Sequence, residues 1–174
     1  MIYDLVVIGG GSAGYSAAMT ALNYKKKVCV IEKSEFGGLC ILKGCMPSKT
    51  LLHSARISEI IKNSSEFGVK TGKVSFDVDK IINRKNKIIK SFADYRLENI
   101  KKKVDLIYGE AKFISKNEVK VKNKIIKGNN FLISTGSKVF VPDIEGIEVG
   151  YITSDEALEL RKLPKSMAVL GGGP

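Results

Sequence analysis

Residues 2–8, Ile-Tyr-Asp-Leu-Val-Val-Ile, are a mostly apolar and β-branched run. A run of this kind predicts a strand buried on both faces, as in a parallel sheet. A glycine-rich turn follows from Gly9 to Gly14, and small residues recur at Ala13, Gly14, Ala17, Ala18 and Ala21. They predict a helix over 12–24 packed closely on a sheet. Residues 27–32, Lys-Val-Cys-Val-Ile-Glu, read as a second short buried strand. Together these make one strand–helix–strand unit of about 30 residues, the expected size.

The period then changes. A helix is predicted from near Gly44 to about Asn63, with Pro47 in its first turn, where a missing N–H costs nothing. From Asp77 to Lys102 the apolar residues Val78, Ile81, Ile82, Ile88, Ile89, Phe92, Tyr95 and Ile100 recur at helical spacing. Asp77 is placed to cap that helix. Its basic face, with Arg84, Lys85, Lys87 and Lys90, is read as solvated. Glu118 to Lys122 alternates polar and apolar, with turn residues at Lys116-Asn117 and Asn123-Lys124. This predicts a small antiparallel meander over about 106–128, leading into an apolar strand at 131–134. Residues 153–162 suggest a short capped helix, and Met167 to Leu170 the start of one more strand. The class is α/β, a parallel sheet plus a small antiparallel β-meander.

The chain has 174 residues, enough for one domain with a real core. No stretch approaches the roughly 20 apolar residues of a membrane span, so no membrane partner is expected. The first residues lack the basic start and cleavage site of a secretory leader, and a cytoplasmic location is expected. The net charge of +11 is nearly all lysine, spread through 25–27, 84–90, 101–103 and 112–127. Without aromatic interleaving it reads as a lysine-rich surface, and no specific nucleic-acid partner is expected.

Two motifs carry chemistry. Gly9-x-Gly11-x-x-Gly14 follows a predicted strand and opens a helix, and Glu32 ends the next strand. These are the parts of a dinucleotide fingerprint. The glycines let the backbone approach a pyrophosphate, the helix start supplies free N–H groups, and Glu32 can accept from a ribose diol. The motif does not separate FAD from NAD. The second motif is Gly37-Gly38-Leu39-Cys40-Ile41-Leu42-Lys43-Gly44-Cys45-Met46-Pro47-Ser48-Lys49. Cys40 and Cys45 can close a disulfide if the backbone brings them together, and Cys45 near a helix start would favour thiolate. Two packed thiols, or half of a zinc site, are the alternatives. Zinc needs four ligands, and the chain offers a single His and no second cysteine pair. Cys29 lies in a buried strand and reads as packing.

The cysteine segment resembles the active-site segment of the class I pyridine nucleotide-disulfide oxidoreductases, whose pattern is GGTCxNxGCxPSK. It matches at Gly37, Gly38, Cys40, Gly44, Cys45, Pro47, Ser48 and Lys49. Further similar segments follow in family order: Glu110-Ala111, Ser134 to Ser137, Pro142 to Gly146, and Gly171 to Gly173. The last resembles the start of a second, NAD-binding fingerprint. The resemblance implies a Rossmann-like FAD-binding domain over 1–146 and the truncated start of an NAD(P)-binding domain over 147–174. A chain stopping at that point reads as a fragment, without complete turnover of its own.

By that resemblance Cys45 is the flavin-proximal sulfur, Cys40 the sulfur that attacks substrate, and Lys49 a cation near the flavin. These three form the catalytic set. The cofactor-binding set comprises Gly9, Gly11, Ser12, Ala13 and Gly14 of the turn, and Glu32 and Lys33 after the second strand. It continues with Gly38, Leu39, Cys40 and Lys49 of the cysteine segment, then Ala111, Thr135, Gly136 and Ser137. The implied cofactors are FAD and, in a full-length enzyme, NAD(P)H. The implied partners are a small-molecule or lipoyl-type disulfide substrate and a second copy in a homodimer. Leu39 and Leu42 depart from the usual Thr and Asn, and Lys43 is charged where the family is usually apolar. His53, the one histidine, is read as packing or surface. The rival reading is a stand-alone dinucleotide-binding module whose cysteines sense redox state or bind a partner.

Overall fold

The computed structural model describes residues 1–172. Its sheet contains β1 (Ile2–Ile8), β2 (Val28–Glu32), β3 (Asp105–Tyr108), β4 (Ala111–Ser115), β5 (Glu118–Val121) and β6 (Lys124–Ile133), in the order β3-β2-β1-β6-β5-β4. The β3, β2, β1 and later β6 strands run parallel, with Leu5 beside Val28 and Ile8 beside Ile31 and Ile133. The β4, β5 and early β6 strands run antiparallel. The helices are α1 (Ser12–Asn23), α2 (Gly38–Leu42), α3 (Cys45–Asn63), α4 (Val78–Lys101) and α5 (Ser154–Ala157). This is the α/β, Rossmann-like arrangement, with the parallel order running outward as 3-2-1.

The unbroken apolar runs have a direct cause. Val7, Val28 and Val30 pack against Ala18 of α1 and Ile100 of α4. On the other face, Val6, Ile8, Cys29 and Ile31 pack against Val119, Val121 and Ile126 of the antiparallel arm. A strand covered on both sides has no solvent side to mark with polar residues, and all five residues of β2 are buried. A third cluster of Ile41, Ile89 and Ala93 seats the α2–α3 corner on α4. The Asp77 carboxylate accepts from the Lys80 N–H at 2.9 Å and caps α4.

The structure departs from the sequence-based expectations at several places. Residues 105–108 are a parallel strand beside β2, with Cys29 opposite Asp105, and not part of the meander. Residues 131–133 continue β6, whose early half pairs with β5 and later half with β1. The short α2 was not predicted. Lys85 is fully buried, not solvated. Its ammonium donates to the Leu158 carbonyl at 2.8 Å and pairs with the Glu159 carboxylate, partners from a distant segment that periodicity cannot show. The helix at 153–162 shortens to Ser154–Ala157, started by a Thr153–Glu156 capping box. Met167 to Leu170 forms no strand: Val169 and Leu170 are exposed, and no described strand pairs with them. Gly173 and Pro174, part of the expected second fingerprint, lie outside the described residues.

Candidate functional site

A cleft of about 850 Å³ opens beyond the carboxyl ends of β1, β2 and β6. That edge is where ligands bind in open α/β sheets, because helix starts and strand ends converge there. One wall is the turn from β1 into α1. A Cβ on Gly14 would come within 1.9 Å of the Gly9 carbonyl oxygen, so only glycine lets α1 lie this close to β1. Gly11 is the N-cap of α1 and carries no side chain to cap it. The first-turn N–H groups thus have no side-chain acceptor where Gly11, Ser12 and Ala13 line the cleft.

Glu32 braces this turn from the end of β2. One carboxylate oxygen accepts from the Gly10 N–H at 2.7 Å, and the other from the Ser34 N–H at 3.0 Å and its hydroxyl at 3.3 Å. Each carboxylate oxygen has two lone pairs, so acceptor capacity remains toward the cleft that Glu32 also lines. Sequence reasoning missed Gly10. The signal was available, because the fingerprint spacing sets this N–H beside the acid that ends the second strand.

The facing wall is the α2–α3 corner. Gly38 has φ +68°, and a Cβ there would lie 2.4 Å from the Gly11 Cα, so the corner packs directly on the glycine turn. Cys40 lies within α2, half-buried, and Cys45 is the first residue of α3, exposed. The Cys40 thiol is held above the ordinary cysteine range, first by its side-chain hydrogen bond with Cys45, then by burial, then by the charge of Cys45. The Cys45 backbone and the Ser12 hydroxyl act in the opposite direction. Both cysteines line this wall, and two thiols that meet there can form a disulfide by giving up two electrons and two protons.

The remaining candidates divide. Lys33, Leu39, Ala111, Thr135, Gly136 and Ser137 line the same cleft, and Gly14 is buried beneath it. Lys49 is exposed, one turn beyond Cys45 on α3, and lies outside the cleft lining; His53 is exposed one turn further on. Cys29 is fully buried, and burial, with the charge of Asp105, pushes its thiol up to about 12. Three contributors were not anticipated. Arg96 of α4 donates to the Ser12 hydroxyl at 3.2 Å and lies 4.9 Å from the Tyr15 ring centre. Thr153 and Asp155 form part of the cleft wall beside Lys43. Among the described residues no cluster of His, Cys, Asp and Glu could hold a metal ion, and no helix is long and apolar enough to cross a membrane.

The chain is similar to known proteins over nearly all of its length. The family model described as pyridine nucleotide-disulphide oxidoreductase matches residues 3–174. A dihydrolipoyl dehydrogenase of Acholeplasma laidlawii is 40% identical over 178 residues, covering 98% of this chain and 53% of the relative. A mercuric reductase of Lysinibacillus sphaericus is 37% identical over 174 residues, covering 98% of this chain and 32% of the relative. The solved HOCl-induced flavoprotein disulfide reductase RclA from Escherichia coli superposes with a TM-score of 0.77 and 32% identity, over 93% of this chain and 35% of that one. The chain thus spans about half the length of the first relative and about a third of the other two.

Proposed function

This chain belongs to the pyridine nucleotide-disulphide oxidoreductase family, and from that premise we propose that its cleft holds FAD and that Cys40 and Cys45 are the redox pair. The observation that carries the reading is that Cys40 and Cys45 both line one wall of a cleft that also contains an uncapped helix start. The residues fit the cofactor. Gly11, Ser12 and Ala13 offer N–H groups to a pyrophosphate, and Glu32 offers an acceptor to a ribose. Ala111 and Thr135 to Ser137 bound the remaining length. When bound, FAD supplies the two-electron chemistry that links a nicotinamide to a disulfide.

The chain's own part is to hold and move protons and electrons at sulfur. Opening the Cys40–Cys45 disulfide takes two electrons and two protons. Cys40, its thiol held above the ordinary cysteine range, takes up one of those protons. As the sulfur nearer substrate, it attacks a small-molecule or lipoyl-type disulfide once deprotonated, forming a mixed disulfide that Cys45 resolves. Lys49 is proposed as the cation that steadies charge at this end of the cleft. In the longer protein NAD(P)H would be the electron donor or acceptor, two copies would form the working unit, and the cytoplasm would be its compartment. Residues 1–146 would be the FAD-binding unit and 147–174 the lead into the NAD(P)-binding unit.

The test is the visible spectrum of the purified chain with FAD after ultrafiltration, before and after mild two-electron reduction. Retained flavin with a new long-wavelength absorption, lost in Cys45→Ser but kept in Cys40→Ser, is the expected result. Flavin that washes away from the parent chain would remove the cleft as its cofactor site in this chain.

A further inference from the structure

We propose that Asp155 is a positioning residue for the Cys40–Cys45 pair, acting through Lys43. The inference rests on the reading of that pair as redox-active. Lys43 closes α2 and stands between the two cysteines, where the chain turns sharply into α3. Its ammonium donates to the Asp155 carboxylate at 2.7 Å. An isolated ion pair this exposed would do little, because two free side chains must be ordered to make it. Asp155 is not free in that sense.

Its segment is fastened at several points. The Asp155 N–H donates to the Thr153 hydroxyl at 3.3 Å, and the Glu156 carboxylate accepts from the Thr153 N–H at 2.8 Å. Further along, the buried Lys85 of α4 donates to the Leu158 carbonyl. Arg161 donates to Asp79 at 2.8 Å and to Asn83 at 3.0 Å, both also on α4. The α4 helix carries the cysteine corner as well, through Ile89 and Ala93 against Ile41. The Lys43–Asp155 pair therefore closes a ring of contacts that begins and ends on α4. The corner that carries Cys40 and Cys45 is held on both sides while they are still thiols.

The thermodynamic direction follows. A disulfide already restrains the corner, so freeing Lys43 enlarges the dithiol ensemble far more than the oxidised one. Loss of the clamp shifts the equilibrium toward dithiol. Removing only the acid adds a second push the same way, because it leaves an unpaired ammonium on the residue between the two cysteines in the chain, and a nearby cation favours thiolate.

The experiment equilibrates the chain in glutathione and glutathione disulfide and measures the Cys40–Cys45 disulfide fraction by alkylation and peptide mass. In the reaction, two protein thiols become one disulfide, and their two electrons and two protons convert glutathione disulfide to two glutathiones. Asp155→Asn is expected to shift the equilibrium constant toward dithiol by about two- to fivefold. Lys43→Met should shift it less in the same direction, and the exchanged pair Lys43→Asp with Asp155→Lys should return it to the parent value. A merely structural role would lower stability without moving this constant or restoring it on exchange. An unchanged constant in Asp155→Asn, with the disulfide still forming, overturns this inference alone. A parent chain that forms no Cys40–Cys45 disulfide overturns the redox reading and this inference with it.

Discussion

At the centre of the sheet Cys29 is sealed between strands, with Val6, Ile8 and Ile31 around it and Val119 and Val121 across from it. A short distance along the chain, the α2–α3 corner sets Cys40 half-buried and Cys45 exposed at a cleft wall, braced by contacts from α1, α4 and residues 153–161. The sheet region buries its apolar atoms on both faces, and burial, with the charge of Asp105, keeps its thiol protonated. The corner buries Ile41 and Pro47 but leaves both its cysteines at the cleft wall, seated by tight backbone approaches and a few polar ties. Reactivity follows from this difference in environment, since the residue is the same.

The contrast should be largest in thiol labelling. Below pH 9, iodoacetamide should modify Cys45 in the native chain at least about a thousandfold faster than Cys29, which reacts only when the sheet opens. Site-resolved mass spectrometry measures the ratio, and rapid native labelling of Cys29 would break the comparison. The pH dependence has a definite sign. The folded chain holds the Cys29 proton up to about 12, whereas the unfolded chain releases it near 9.0. That contribution to stability is complete below pH 9 and is lost as pH rises toward 12.

The joint between the two regions comes next. Gly14→Ala drives a methyl into the Gly9 carbonyl and should cost about 3 kcal/mol by denaturant unfolding, with flavin retention falling alongside. A near-neutral result would mean that α1 can move off β1. The smallest effect separates the regions by truncation. Val30→Ala, fully buried, should cost about 2 kcal/mol. Leu39→Ala, 46% exposed at the corner, should cost about 0.5 kcal/mol or less. Equal losses would show that the corner is packed as a core.

Much of this was legible in the sequence because it is local. The β1–α1–β2 unit, the α3 and α4 helices and the Asp77 cap depend on spacing within a few turns, and each stands close to where the pattern put it. The cysteine segment was legible through its likeness to a known family, a relation that the family match over residues 3–174 bears out. What failed depended on partners far along the chain. Residues 105–108 look like the start of a hairpin until β2 is available to pair with them. Lys85 looks like surface until Leu158 and Glu159 arrive. Met167 to Leu170 has the composition of a strand, but strands exist only as pairs, and none of the described strands meets it.

The sequence by itself determined the class of fold, the glycine turn, the acid that follows it and the spacing of the two cysteines, with four residues between them. These depend on backbone sterics and on hydrophobic periodicity, both of which act between near neighbours. Only the tertiary structure decided that Cys40 is half-buried and Cys45 exposed, that Glu32 holds the Gly10 N–H, and that Lys43 is tied to Asp155. Those outcomes are set by desolvation and by charges and dipoles brought within a few ångströms. Such distances come into being only when segments remote in sequence are packed together.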